Sequence, residues 1–258
     1  MTFTPFTAKM DLGAELAEEL NIEEVFSFTV AGHTVSVDES TVVSVIITVV
    51  MTVLALFLTR GLKVEGPISK RQALLETLYL KFEDFFKGMM EPSAYRYIPW
   101  LMSVALFIGV SNIIGIFGLK PPTKSMQVTA VMALTSIVLI EYAGIRAKGI
   151  GGRIKAFAKP IWIITPINIL ELFTKPLSLC MRLFGNVLAA FTIMELIKIA
   201  TKHLPLIPVL PSLYFDIFDG ILQAYIFVFL TAIYIKEAVE IPEEEPKKEK
   251  KTKKRKKA

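Results

Sequence analysis

Only one cysteine, Cys180, occurs among the 258 residues, which excludes an internal disulfide and a thiolate cluster for a metal. It lies in an apolar run, where a thiol serves as a small hydrophobe. Histidine is scarce as well: His33 and His203 both fall outside the long apolar blocks. A Ser–His pair within a bilayer is therefore unavailable, which argues against an intramembrane protease. No metal-ligand spacing appears either, so neither a metal nor a cofactor is expected. The chain also lacks the internal repeat built into many transporters. Residues 1–40 hold eight acidic groups and one lysine, Lys9. With no basic n-region ahead of an apolar h-region, a cleaved signal peptide is not expected. Positive charge is concentrated in one segment: nine of the 29 Lys and Arg lie between Lys247 and Lys257. The net charge of +5 describes that tail, so a nucleic-acid partner is not expected.

Apolar residues, by contrast, are plentiful, at 53% of the chain, and they fall in long blocks. Runs of about 20 apolar residues match the hydrocarbon thickness of a bilayer. The expected fold class is an all-α integral membrane protein of about five spanning helices. The expected spans are residues 41–59, 97–118, 128–145, 161–200 and 213–235. An extracytoplasmic segment over 1–40 precedes the membrane domain at 41–240, and a basic tail over 241–258 follows. The tail is rich in lysine without hydrophobic periodicity, so it is expected to be disordered and to attract anionic headgroups.

Between the first two spans, residues 69–90 read as an amphipathic helix in the membrane interface. Ser69 and Gln72 have the spacing of a capping box. Leu74, Leu75, Leu78, Phe82, Phe85, Phe86 and Met89 share one face. Tyr97 and Trp100 mark an interface at the second span, and Ser111 and Asn112 are suited to bonding between helices. Gly149, Gly151 and Gly152 are expected to break the helix after the third span. Loop charge sets the orientation. The stretches 60–96, 146–160 and 236–258 carry seven, five and ten Lys/Arg, whereas the opposite loops carry few. The positive-inside rule then places the N-terminus outside and the tail in the cytoplasm.

Near the middle of the fourth run stands Arg182, too deep to reach water easily by snorkelling. Such an arginine costs about 3 kcal/mol on insertion scales. Guanidinium stays charged at physiological pH, so it needs a partner or a wet cavity. A structural ion pair with Asp216 or Asp219 would satisfy it; an intramembrane charge is otherwise a functional site by default. Glu171, Lys175, Ser178, Arg182 and Asn186 follow steps of three and four, hence one helical face. Asp216, Asp219 and Gln223 form a second stripe on the last span. With Glu195, these residues are candidates for an outer ion path ending at Arg182. Glu171, Lys175, Ser178 and Glu141 are candidates for an inner path, with the arginine between the two.

The fourth run would reach about 60 Å as one helix, twice the roughly 30 Å of hydrocarbon. Crossing twice would spoil the charge pattern. A steep tilt, with Pro166 and Pro176 marking breaks near its start, preserves it.

The stretch Lys175-Pro176-Leu177-Ser178-Leu179-Cys180-Met181-Arg182-Leu183-Phe184-Gly185-Asn186 resembles the signature of subunit a of F-type ATP synthases. Leu222 to Thr231, including Gln223-Ala224, is similar to that family's last helix, and Pro121-Pro122-Thr123 also fits. The resemblance spans about Tyr97 to Ile235. It implies two long, tilted helices laid against a rotor ring of small c subunits, within a complex that includes peripheral-stalk b subunits. It implies a bacterial plasma-membrane location and a non-catalytic role in ion translocation. Arg182 would meet each rotor carboxylate, favour its ionised form and block a direct leak. Flow of protons or sodium ions through two offset half-channels would thereby be coupled to rotation and ATP synthesis. Two positions depart from the family pattern. Phe191 stands where many relatives have a glutamate, and Asp216 where many have a histidine, so Asp216 is the expected outer relay with Asp219 or Glu195. A secondary ion-coupled transporter with a buried Arg–Asp pair is the alternative.

Overall fold

A computed structural model describes residues 24–30, 33–64, 66, 68–117, 119–157, 165–201 and 208–240. Most of the N-terminal segment, positions 161–164, His203, the prolines at 205 and the tail from 241 lie outside these residues. Among the described residues, five helices are long and apolar enough to cross a membrane, and the all-α membrane fold expected from hydropathy holds.

One element stands outside that scheme. Strands β1 (Glu24–Val30) and β2 (His33–Asp38) pair antiparallel, with Ser27 opposite Ser36 and Thr29 opposite Thr34. The alternation Phe26-Ser27-Phe28-Thr29 and Thr34-Val35-Ser36-Val37 is the period-two sequence pattern of strands. Helix α1 (Glu39–Thr59) follows directly and carries a nearly continuous apolar surface.

Helix α2 (Lys70–Lys87) is capped as its sequence suggests, though only by half. The Gln72 backbone N–H donates to Ser69 Oγ at 3.2 Å. The Gln72 side chain does not complete the box. It accepts from Lys63 N at 3.0 Å and donates to Lys63 O at 2.7 Å, tying the preceding loop to the helix. Leu74, Leu78, Phe82 and Phe85 stay exposed, whereas Phe86 is fully buried in the bundle core. Phe85 meets Tyr225 of the last span at 5.7 Å between ring centroids, so the helix leans on the bundle by two aromatic side chains and leaves Leu74, Leu78 and Phe82 outward, as suits an interfacial helix.

A 3-10 turn over Pro92–Tyr97 leads into α3 (Ile98–Ile113), which ends in a second 3-10 turn at Ile114–Phe117. Pro122–Lys124 forms a third, and α4 runs over Met126–Phe157. Gly149, at φ 72°, breaks α4 as expected. Gly151 and Gly152 do not: the chain is helical again after Gly149. Arg153 bonds back to Glu141, Nε to Oε2 at 3.0 Å and Nη2 to Oε1 at 2.7 Å. A bidentate charge-assisted pair fixes that return.

Helix α5 (Thr165–Ala200) is continuous over 36 residues. Pro176 lies inside it and removes one i→i−4 donor, while Pro166 sits in its first turn, where a missing N–H costs little. The last span opens with a helical turn at Val209–Ser212, widens into a π-helix over Leu213–Asp219, and continues as α6 (Gly220–Val239). Helix α6 is the hub, packed against both α3 and α4, while α5 packs chiefly on α4. Leu101 and Ile108 of α3, Leu179 and Leu183 of α5, and Phe227 and Ile235 of α6 share the core.

Candidate ion-translocation site

Helix α5 divides its residues cleanly. Leu179, Cys180, Leu183, Val187 and Met194 are buried. Leu177, Ser178, Met181, Arg182, Gly185, Asn186 and Ala189 are exposed. The residues flanking Arg182 on that outward side include Ser178, Gly185 and Ala189, which are small enough for another helix to approach closely. Among the described residues, Arg182 has neither an ion-pair nor a hydrogen-bond partner. A structural pair with Asp216 or Asp219, the alternative to a functional charge, is not formed. Asp216 is instead bonded to Ser212, whose hydroxyl donates to Oδ2 at 2.5 Å. That removes the basis for a transporter built on a buried Arg–Asp pair, because Arg182 lies on the surface of the bundle.

Two polar ties hold α5 to α6, one on each side of Arg182. On one side, Asn186 Nδ2 donates to Gln223 Oε1 at 2.7 Å. On the other, Lys175 Nζ donates to both carboxylate oxygens of Glu237, at 3.0 and 2.9 Å. Lys175 also pairs with Glu171 at 3.3 Å and lies over the Tyr234 ring. The ties are four and seven residues from Arg182, about 6 and 10 Å along the helix. The arginine is thus framed by fixed polar pairs while its own charge points outward.

Beyond Asn186 the surface opens into a cavity of about 260 Å³. Its wall includes Glu195, Phe191 and Lys198 of α5, Asn112 and Gly115 at the end of α3, and Lys120. Ser212, Asp216, Asp219 and Gly220 complete it. Three of the sequence-derived outer candidates, Glu195, Asp216 and Asp219, therefore line one space. Glu195 is almost buried and pairs with Lys198 at 2.7 Å. Gln223 is nearly inaccessible and joins Asn186 instead, between the cavity and Arg182. Phe191 also lines the cavity. The Lys124 ammonium lies 3.9 Å from the centroid of the Phe191 ring, and Lys124 is itself buried.

The inner candidates separate. Glu171 and Lys175 come together, joined by Glu237, while Ser178 is exposed one turn before Arg182. Glu141 is bound by Arg153.

Sequence reasoning did not single out Ser212, Glu237 or Gly115. The first has a legible signal, since Ser212 precedes Asp216 by one helical turn. Glu237 is signalled only by its place at the same end of the bundle as Lys175. Gly115 acquires meaning only from what touches it. Asn112 does bond across helices as expected, accepting from Thr123 Oγ1 at 2.7 Å and donating to Gly220 O at 3.4 Å. Ser111 Oγ is buried with no hydrogen-bond partner among the described residues.

The sequence that builds this arrangement matches a known family. The ATP synthase A chain family matches residues 41–236. The "ATP synthase subunit a 2" of Bradyrhizobium sp. strain BTAi1 is 33% identical over 74% of this chain and 85% of its own length. The "ATP synthase subunit a 1" of Hahella chejuensis is 30% identical over 81% of this chain and 88% of its own. The "ATP synthase subunit a, sodium ion specific" of Propionigenium modestum is 30% identical over 66% and 64% respectively. With the family match covering Arg182, the Asn186–Gln223 tie and the cavity, the chain belongs to the ATP synthase A chain family and is a multi-pass membrane component of that complex.

Proposed function

We propose that this chain is the ion-translocating stator subunit of its synthase, and that Arg182 separates two offset half-channels. The observation that carries the reading is the outward, unpartnered guanidinium of Arg182, framed by the Asn186–Gln223 and Lys175–Glu237 ties. A charge left in that state at mid-membrane has use for a counter-ion supplied from outside the chain. Carboxylates on a passing ring of small c subunits supply it.

A rotor carboxylate crosses lipid only when neutralised by a proton or a cation. Facing Arg182, its ionised form is favoured, and the ion leaves. The cavity with Glu195, Asp216 and Asp219 serves as the outer half-channel, with Asp216 as its relay and Asn186 and Gln223 at its inner limit. Glu171, Lys175 and Ser178, with Glu141, serve the inner side. The transmembrane potential contributes about 2.3 kcal/mol per charge per 100 mV. The carboxylates suit a proton or a sodium ion, and the selecting site belongs to the rotor. One relative's name specifies sodium; the same cavity chemistry accommodates either ion. The chain itself is a non-catalytic subunit, conducting ions rather than transforming a substrate. The basic loops face the cytoplasm, the N-terminus lies outside, and the peripheral-stalk b subunits hold the chain against rotation.

Substitution of Arg182 tests this reading. Arg182→Lys and Arg182→Ala are expected to assemble, because no described contact within the chain depends on the guanidinium. Both are expected to lose ion-driven ATP synthesis in vesicles, since lysine is a shorter, more strongly hydrated point charge. Arg182→Ala should also pass ions without rotation. Normal synthesis by assembled Arg182→Ala complexes would refute the mechanism.

A further inference from the structure

The Asp216 carboxylate occupies a notch made by an absent side chain. A Cβ placed on Gly115 would lie 2.7 Å from Asp216 Oδ1 and 3.1 Å from its Cγ. Such separations are inside van der Waals contact, so any residue but glycine at 115 must displace the carboxylate or push the two segments apart. The other oxygen, Oδ2, accepts the Ser212 hydroxyl at 2.5 Å. Ser212, Gly115 and Asp216 all line the outer cavity. The backbone that carries Asp216 is the π-helical segment, a geometry frequently found at functional sites.

These contacts divide the work between two segments distant in sequence. Gly115 belongs to the 3-10 turn ending α3, and Ser212 lies one turn before Asp216 on the last span. A short side chain has two torsions. The Ser212 hydrogen bond restrains the carboxylate's plane, and the Gly115 backbone bounds how far it can swing. Gly109, on the same helix, gives a contrast: a Cβ there would meet Ala224 Cβ at an ordinary 4.0 Å. Of these two glycines, only Gly115 faces the carboxylate and only Gly115 makes the close approach.

We infer that Gly115 and Ser212 are positioning residues that aim the Asp216 carboxylate into the outer cavity, so that ion passage by way of Asp216 depends on the missing side chain at 115. This rests on the outer half-channel reading above and extends it to two residues that touch no rotor group.

The test is a pair of double-mutant cycles in assembled complexes, read as ion-driven ATP synthesis in vesicles. Gly115→Ala and Ser212→Ala are each expected to lower the rate several-fold, and Gly109→Ala to leave it unchanged. In an Asp216→Asn background, Gly115→Ala and Ser212→Ala should each cost less than a further twofold, because the group they aim is gone. Equal fold-losses in both backgrounds would overturn the inference, since the two residues would then act by packing alone. If Gly115→Ala does not assemble, the Ser212 cycle decides by the same criterion. If Asp216→Asn abolishes synthesis outright, the single variants decide: loss in Ser212→Ala and Gly115→Ala with Gly109→Ala intact supports the inference, and any other pattern overturns it. Failure of the half-channel reading looks different, because Arg182→Ala would then retain synthesis whatever the cycles show.

Discussion

Replacing Gln223 by leucine separates stability from function at the tie between α5 and α6. Gln223 is 1% exposed, accepts from Asn186 at 2.7 Å, and its Nε2 is buried with no hydrogen-bond partner among the described residues. Two terms oppose each other in Gln223→Leu. Loss of the interhelical hydrogen bond costs about 0.6 kcal/mol, the average for such bonds in membranes. Removal of an unsatisfied buried amide N–H returns about 1–3 kcal/mol. Leucine is of similar size, so the packing change stays under about 1.5 kcal/mol. The expected net effect on stability is therefore small, between roughly 1 kcal/mol of loss and 2 kcal/mol of gain, summed from those terms. Asn186 suffers little, because it lies on the exposed face and can bond elsewhere. Coupled synthesis should nonetheless fall, since the polar limit between the outer cavity and Arg182 is gone. Unfolding of the chain by SDS in mixed micelles gives the first quantity, and ATP synthesis in vesicles gives the second. A destabilisation above about 3 kcal/mol would refute the reasoning, because it exceeds what one such bond supplies.

Two further outcomes follow from packing and charge. Gly220→Ala would set a methyl 2.8 Å from Asn112 Cβ. It should destabilise the α3–α6 contact by about 1–3 kcal/mol, as overpacking does, and lower the midpoint of SDS unfolding; an unchanged midpoint would show that the helices part freely. For orientation, single cysteines at Lys120→Cys and Gly151→Cys, each in a Cys180→Ala background, should react with an impermeant thiol reagent from opposite sides. Labelling from the same side would reject the five-span orientation.

What could be read in advance, and what could not, divides by physical range. The membrane fold was legible because burial in lipid demands about 20 apolar residues in succession, a signal needing no knowledge of neighbours. The Ser69 cap was legible for a similar reason, being set by residues three apart. Its other half was not, because Gln72 found Lys63 across a loop. The β1–β2 ribbon carried its alternation openly in Phe26 to Val37, yet its short strands stood beside the stronger signal of the first span. Glycine was only partly readable. Gly149 broke the helix, while Gly151 and Gly152 stayed helical because Arg153 had a carboxylate to reach at Glu141. At the site, Glu195, Asp216 and Asp219 were identifiable as charges in apolar runs. That Gln223 would be withdrawn from their cavity to meet Asn186 depends on how α5 lies against α6, which no local pattern encodes.

The exposure of Arg182 also bears on how many copies of this chain a membrane can hold. A copy standing alone in lipid carries a mid-membrane guanidinium with no internal counter-ion, a penalty of about 3 kcal/mol on insertion scales. By the usual conversion that is roughly a hundredfold against the solitary copy at equilibrium. A copy whose outward face meets a carboxylate escapes the penalty without any change in its own fold. A solitary chain thus differs from one facing such a carboxylate by a single unneutralised charge.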